Sequence, residues 1–442
     1  MARVLLLLPT TTYRTQAFVD AARTLGADLV CASERPSTLE AHAPDALLTL
    51  DFDRPAAAAE TAARFAAGHP LDAVVGVDDR TAEAAAAIAE RLGLKTSAPA
   101  AVHAARDKHE MRERLAAAGV PVPRFRLVRL ADDPERLARA VAYPCVLKPL
   151  TLSASRGVIR ADDPAGFVTA FQRIAAILRG GDVSVSGSAA EHLLVEAFVP
   201  GREVALEGLL LGGGLQTLAL FDKPDPLDGP FFEETIYVTP SRLPAAAQAA
   251  IERVTVAACA ALGLTEGPVH AELRLNEAGP WVLEVAPRSI GGLCSRTLRF
   301  GTGVTLEELI LRQALGWKID SLDRERPAAG VMMIPIPRAG RLDAVRGRDA
   351  AAAVPCVEEV VITAHVGQEL VPLPEGWQYL GFIFSRAETP AAAERALRDA
   401  HARLAFDIAS GSRASRRSRT SSRRRPPAST PSAASPRPRR GS

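Results

Sequence analysis

The chain has 442 residues, is 48% hydrophobic and carries a formal net charge of +2, a length that predicts two to four domains with sizeable cores. The near-neutral charge hides an asymmetry: residues 411–442 hold ten arginines and no acid, so the body before them is acidic and no nucleic-acid partner is expected. Five dispersed cysteines without CxxC spacing fit a reducing cytoplasm, and no apolar run approaches the ~18 residues of a membrane span or has the form of a signal peptide.

Residues 1–105 alternate strand and helix. Strands are predicted at 4–8, 27–31, 46–50 and 73–77, and helices at 15–25, 56–67 and 81–92. Continuous apolar strands between helices predict a doubly wound parallel sheet. The first strand runs into Pro9-Thr-Thr-Thr-Tyr-Arg14 rather than G-x-G-x-x-G, so dinucleotide binding is unsupported.

A helix at 107–115, opened by Asp107-Lys108, is stopped by Gly119, Pro121 and Pro123. Lys108 alone reads as a solvated charge. A buried strand at 143–149 ends in Lys148, where a phosphate would satisfy an otherwise costly ammonium; a lysine snorkelling to the surface fits equally well. The loop that follows, Thr151-Leu-Ser-Ala-Ser-Arg-Gly-Val158, offers Ser153, Ser155 and the Gly157 backbone to an anion, or is a plain surface loop. A helix at 167–178 and a flexible Gly/Ser loop at 180–189 lead to a strand at 192–198. Glu196 and Glu203 then flank Pro200-Gly201, as at a hinge or an exposed hairpin tip. Strands at 202–211 and 215–220 pair across three glycines. The long connection 221–240, with Glu234 and Tyr237, reads as a functional loop or as a structural loop plus an edge strand. A helix follows at 245–262.

Residues 269–288 form a hairpin pattern. Val269, Ala271, Leu273 and Leu275 alternate with His270, Glu272 and Arg274; after Asn276–Pro280, Trp281, Leu283 and Val285 alternate with Glu284, Ala286 and Arg288. Gathering the apolar residues on one face puts Glu272 opposite Glu284, and like charges directly opposite repel. A hard cation between them, with phosphate beyond, resolves the conflict; alone, the stretch reads first as a solvated hairpin face. A helix is predicted at 306–315. From about 317 an α+β region has strands at 329–336, 356–364 and 379–385 and a helix at 391–404. The Arg/Ser/Pro-rich tail is expected to be disordered. The chain contains no G-x-x-x-x-G-K-[ST], H-E-x-x-H or G-x-S-x-G.

The succession Asp107-Lys108, Val146-Leu-Lys148-Pro, Ser153–Gly157, Leu194-Val-Glu196-Ala-Phe-Val-Pro-Gly-Arg-Glu203, Glu272 and Leu283-Glu284-Val resembles the ATP-grasp superfamily of carboxylate–amine ligases. The ending Glu284-Val-Ala-Pro-Arg288-Ser-Ile-Gly-Gly292 is similar to its L-amino acid ligase and carbamoyl-phosphate-synthase-like branch. The resemblance implies a pre-ATP-grasp α/β domain (1–105), a two-lobed ATP-grasp domain (106–316) and a small C-terminal α+β domain (317–410), before the tail (411–442). It implies ATP and Mg²⁺ (or Mn²⁺), small-molecule carboxylate and amine substrates, a cytoplasmic location and a scaffold that often forms homodimers. Lys108 and Lys148 would contact the phosphates under the loop Ser153, Ser155 and Gly157. Glu196 with Ala197, Phe198 and Val199 would hold the adenine, and Glu203 the ribose. Glu272 and Glu284 would bind the metal, and Arg288 would face the transferred phosphoryl group. Glu234, Tyr237, Gly291 and Gly292 would meet substrate. Many relatives carry asparagine two residues after the second glutamate; here it is Ala286, so no third side-chain ligand is transferred. A phosphotransferase on the same scaffold and a catalytically silent nucleotide-binding protein are the alternatives.

Overall fold

A computed structural model describes residues 2–409 apart from 182, 184 and 186. The expected disordered tail lies outside the described residues, as does part of the predicted 180–189 loop. The first strands and helices are β1 (Arg3–Leu7), α1 (Thr15–Leu25), β2 (Asp28–Ser33), β3 (Leu47–Thr49), α2 (Pro55–Gly68), β4 (Ala73–Gly76) and α3 (Asp79–Arg91). Their strands form the predicted parallel sheet, in the order β3-β2-β1-β4. Val4, Leu5, Leu6 and Leu7 are fully buried, as a sheet covered on both faces requires. The start of α3 is fixed by a capping box between Asp78 and Thr81. That cap sits at the carboxyl end of β4, the edge where open α/β sheets meet ligands.

Two helices follow where the sequence suggested one: α4 (Pro99–Arg106) and α5 (Lys108–Ala117). Asp107 divides them and caps α5, its carboxylate accepting the His109 and Glu110 N–H groups at 2.9 and 3.0 Å. A lobe of β5 (Phe125–Arg129), α6 (Pro134–Ala138), β6 (Cys145–Pro149), β7 (Ile159–Ala161), α7 (Pro164–Leu178), α8 (Ser188–Glu191) and β8 (His192–Ala197) comes next. Its strands run antiparallel in the order β5-β8-β6-β7.

The central sheet holds β9 (Arg202–Leu211), β10 (Gly214–Asp222), β11 (Ile236–Thr239), β12 (Gly267–Asn276) and β13 (Gly279–Ala286), with α9 (Ala245–Leu262) packed against it. After the short pair β14 (Arg299–Phe300) and β15 (Val304–Thr305) come α10 (Leu306–Ala314), β16 (Ala328–Ile334), β17 (Gly340–Arg346), α11 (Arg348–Ala352), β18 (Val357–Ile362), β19 (Glu369–Leu370), β20 (Gly381–Ala387), α12 (Pro390–His401) and β21 (Ala405–Ala409). The C-terminal α+β region shares the central sheet: β16, β20 and β18 extend it to eight strands, in the order β13-β12-β9-β10-β11-β16-β20-β18. The strand after the 221–235 connection is therefore interior, not the edge strand of the structural reading, because β11 pairs with both β10 and β16. One apolar segment also departs from expectation. α9 has 18 residues and a mean hydropathy of 1.3, enough for a span, yet it carries Glu252 and Arg253 and buries Ile251, Ala258 and Leu262 in the core.

The hairpin forms as predicted, with Glu272 opposite Glu284. Immediately afterwards the register slips: Leu273 pairs with Val282, and Leu283 is the extra residue of a bulge. Val282, rather than Leu283, therefore joins Val269, Ala271, Leu273 and Val285 in the core under α9. Trp281 pairs with Arg274, and Leu283 turns to the opposite, open face with Glu284. Strict alternation cannot register an inserted residue, so the sequence pattern placed Trp281 and Leu283 on the wrong face. The two leucines should respond differently to truncation. Leu273→Ala should lower stability by about 2–5 kcal/mol, whereas Leu283→Ala should cost less than about 1.5 kcal/mol; urea unfolding of the two variants checks this.

Candidate functional site

A cavity of about 500 Å³ lies where the N-terminal sheet, the lobe and the polar face of the central sheet meet. Every predicted site residue lines it except Gly157, whose N–H donates to the Pro374 carbonyl at 2.9 Å and where a Cβ would meet the Pro149 ring at 2.8 Å. Gly157 is thus used to seat the small-residue loop rather than to face the cavity. Ser153 and Ser155 do face it, Ser155 from the left-handed region at φ 54°.

At the lobe end, β6 presents Lys148 and β8 presents Glu196, which meet at 2.6 Å. The other Glu196 oxygen takes a 2.6 Å bond from Arg112 Nε on α5, a residue the sequence reading missed. All three are buried. Burial alone would raise the Glu196 carboxyl, but Arg112 and Lys148 hold it below the usual range. Burial lowers the Lys148 ammonium against the pull of Glu196, with Arg112 and Lys108 adding to the lowering. One carboxylate thus serves two cations, which leaves this end short of negative charge. Ala197, Phe198 and Val199 continue from Glu196 along the cavity wall, and the Val199 carbonyl accepts from Arg274 at 2.9 Å.

The central sheet supplies a cross-strand array. On β9 and β12, Glu207 lies opposite His270, and Glu203 opposite Arg274. Their side chains meet at 3.1 and 3.0 Å. Between them Glu272 lies opposite Ala205 on one side and Glu284 on the other. The glutamate pair is therefore the like-charged step in an otherwise balanced array. Its neighbours respond. His270 Nε2 approaches Glu272 at 3.4 Å, and Lys108 Nζ approaches Glu284 at 3.5 Å while donating to the Leu152 carbonyl at 3.0 Å. Burial would lower the His270 pKa, but Glu207 and Glu272 push it up to about 9. Glu272 is held well below the usual carboxylate range, because Lys223 and His270 outweigh its burial.

Lys223, at the start of the 221–235 connection, is the largest omission from the sequence reading. Its ammonium lies 2.9 Å from Glu203 and 3.1 Å from Glu272, and also bonds Glu234. Those three carboxylates could hold a cation, and the ammonium already fills that role. Among the described residues no single cation pairs with both Glu272 and Glu284: Lys223 and His270 approach the first and Lys108 the second, and two facing carboxylates have the donor chemistry of a divalent-ion site. Burial and Glu272 push the Glu234 carboxyl up to about 7. Tyr237 lies beneath Lys223, its ring centroid 5.0 Å from the ammonium. Nothing in the local sequence marked Lys223, since its partners come from three separate strands and a loop.

Arg288 follows β13 and is gripped by Asp79 of α3, with Nε–Oδ1 and Nη2–Oδ2 both 3.0 Å. Gly291 and Gly292 line the cavity beside Cys294; at Gly292 φ is 59°, and a Cβ there would approach the Phe382 ring to 3.0 Å. Ala286 lies opposite His270, so the imidazole adjoins the position where a third ligand would stand.

Three family models match in tandem: ATP-grasp N-terminal domain over residues 19–96, ATP-grasp domain over 141–297, and L-amino acid ligase C-terminal domain 2 over 332–409. A solved L-amino acid ligase from Bacillus licheniformis is 25% identical with a TM-score of 0.77, covering 93% of this chain and 99% of that one. Among curated proteins, y4rH of Sinorhizobium fredii is 28% identical over 67% of this chain and 60% of its own length. Alanine–anticapsin ligase of Bacillus subtilis is 27% identical over 50% of this chain and 49% of its own length. The chain thus spans about half the length of the curated relatives it matches.

Asp78 gives a pH test of the cavity's N-terminal wall. Burial and the neighbouring Asp79 push its carboxyl up to about 6. A folded value above the unfolded ~3.9 means that ionisation is costlier in the folded state, so this stabilisation is present below about pH 4 and is lost as pH rises through about 6. Asp78→Asn keeps an N-cap and removes the titration. Its stability relative to wild type should improve between pH 4.5 and 7.5 by up to about 2 kcal/mol, read by chemical denaturation; a pH-independent difference would contradict the assignment.

Proposed function

We propose that this chain, which belongs to the ATP-grasp superfamily and is related to the L-amino acid ligases, uses ATP to activate a carboxylate as an acyl phosphate and joins it to an amine. The carrying observation is the Glu272–Glu284 pair, flanked by Lys108, Lys148 and Arg288 around one cavity. A carboxylate does not condense with an amine at neutral pH, because oxide is a poor leaving group. Attack of the carboxylate oxygen on the γ-phosphorus forms the acyl phosphate and releases ADP. The amine then attacks the acyl carbon, phosphate departs, and the amine loses a proton. Phosphoryl transfer spreads charge over oxygens, so positioned cations do most of the work.

Lys148 and Lys108 neutralise the triphosphate; the shortage of negative charge around Lys148, where one carboxylate serves two cations, supports this role. Ser153 and Ser155 close over it, and the wall Glu196–Val199 takes the adenine, with Leu283 turned toward the same space by the bulge. Glu203 orients the ribose. Glu272 and Glu284 would hold Mg²⁺, or Mn²⁺ in its place, which would supply neutralisation of the phosphate charge. Arg288 stabilises the transferred phosphoryl group and the acyl phosphate. Glu234, Tyr237, Gly291 and Gly292 face the substrate, which is an amino acid or related metabolite. The free described cysteines and the need for ATP support action in the cytoplasm.

Glu284→Gln and Lys148→Ala should each reduce carboxylate-dependent ADP release by at least about a hundredfold while circular dichroism and the thermal midpoint stay close to wild type. Chelating divalent metal should abolish wild-type release. A carboxylate and amine matrix read by phosphate release, with mass spectrometry of products, identifies the substrates. Wild-type-like ADP release from either variant would overturn the assignment, and product formation without amine would exclude ligation.

A further inference from the structure

Three consecutive residues after β13 are each anchored from a different place. Ile290 donates its N–H to both oxygens of Glu207 at 3.0 Å. Ser289 accepts from Arg14 Nη1 at 2.6 Å; Arg14 is itself fixed by Glu307 at 2.9 Å and by the Val77 carbonyl at 3.2 Å. Arg288 is held by Asp79, and its Nη1 donates to the Ser289 carbonyl at 3.2 Å. Arg14 and Val77 lie in the loops at the carboxyl edge of the N-terminal sheet, and Asp79 opens α3 at the same edge. The sheet therefore grips the residue proposed to face the transferred phosphoryl group.

The grip has the geometry of a positioning device. Two parallel bonds between a guanidinium and a carboxylate fix both the place and the plane of the guanidinium, which a single bond would not. The side chains are 12% and 19% exposed, so water competes weakly for either group. Asp79 is also rigidly mounted. It is the first residue of α3, directly after the capping-box residue Asp78. Burial alone would raise its carboxyl, but Arg288 holds it below the usual range, so it stays an anion. An unpaired arginine on a loop would sample many rotamers, and ordering it during the reaction would raise the barrier.

We infer that Asp79 is a positioning residue for the reaction: it acts through Arg288, fixing the guanidinium where the phosphoryl group is transferred. The inference rests on the ligase reading above. It makes the N-terminal domain a working part of the site and gives Asp79 a role that its own contact with substrate would not explain.

The test uses the full chain with a carboxylate and amine pair found in the product screen. Asp79→Asn, Asp79→Glu, Arg288→Lys and the double variant Asp79→Asn with Arg288→Lys are compared by ADP release at saturating ATP. Asp79→Asn should lower kcat about ten- to a hundredfold with the KM for ATP within about twofold. Asp79→Glu keeps the charge but displaces the fork, and should lower kcat while retaining the thermal midpoint. In the Arg288→Lys background, Asp79→Asn should cost less than about a further twofold, because residues acting as a unit are not additive. Fully additive losses, or wild-type kcat in Asp79→Asn, would overturn the inference while leaving the ligase reading intact. Absence of carboxylate-dependent ADP release from the wild type would overturn both.

Discussion

Two carboxylates facing each other across a β-ladder are the constraint on which this site depends. Glu272 and Glu284 are registered by backbone pairing and cannot separate without breaking the hairpin. Like charges in that position repel, and partial burial strengthens the repulsion. The surroundings are arranged accordingly. Lys223 and His270 approach Glu272, Lys108 approaches Glu284, and Arg288 is fixed nearby by Asp79. These groups come from the 221–235 connection, the central sheet, α5 and the segment after β13, while the carboxylate that fixes Arg288 comes from the N-terminal domain. The convergence of so many elements gives a physical reason for the three parts of the chain to pack around one cavity.

The rest of the architecture delivers components to that pair. The bulge just before Glu284 turns Leu283 toward the cavity and leaves its carbonyl to Arg112, which in turn braces Glu196. The C-terminal region reaches back over the lobe. Glu375 makes a paired ion contact with Arg173 of α7, the Pro374 carbonyl takes the Gly157 N–H, and Trp377 lines the cavity. The loop over the proposed phosphate site is thereby seated by a segment more than two hundred residues away. Sharing one eight-stranded sheet between the Glu272–Glu284 hairpin and the C-terminal strands makes that reach possible.

Much of this was legible in the sequence because it follows from local periodicity. The parallel sheet, α1, α9 and the glycine-turn hairpin of β9 and β10 are direct readings of apolar spacing and turn residues. The Glu272–Glu284 register followed from requiring one apolar face. The same rule misplaced Trp281 and Leu283, because a bulge changes the count by one without a composition signal. Lys223, Arg112 and Asp79 escaped for a different reason. Each acts through a partner distant in the chain, and each looks alone like an ordinary surface charge. Gly157 was read as offering its N–H to an anion, but it does not line the cavity and its N–H is spent on Pro374. His270 and Arg274 lay in plain view on the polar face of the hairpin, yet their roles depend on Glu207 and Glu203 from β9.

The most direct measurement is the position of the metal. Crystals grown with Mn²⁺ and ADP would locate it by anomalous scattering. A site between Glu272 and Glu284, with carboxylate oxygens within about 2.2 Å of the ion and Lys223 still bonded to Glu203 and Glu234, is predicted. An ion held instead by Glu203, Glu234 and Glu272 with Lys223 displaced, or nucleotide bound with no ion near the facing pair, would contradict the central claim.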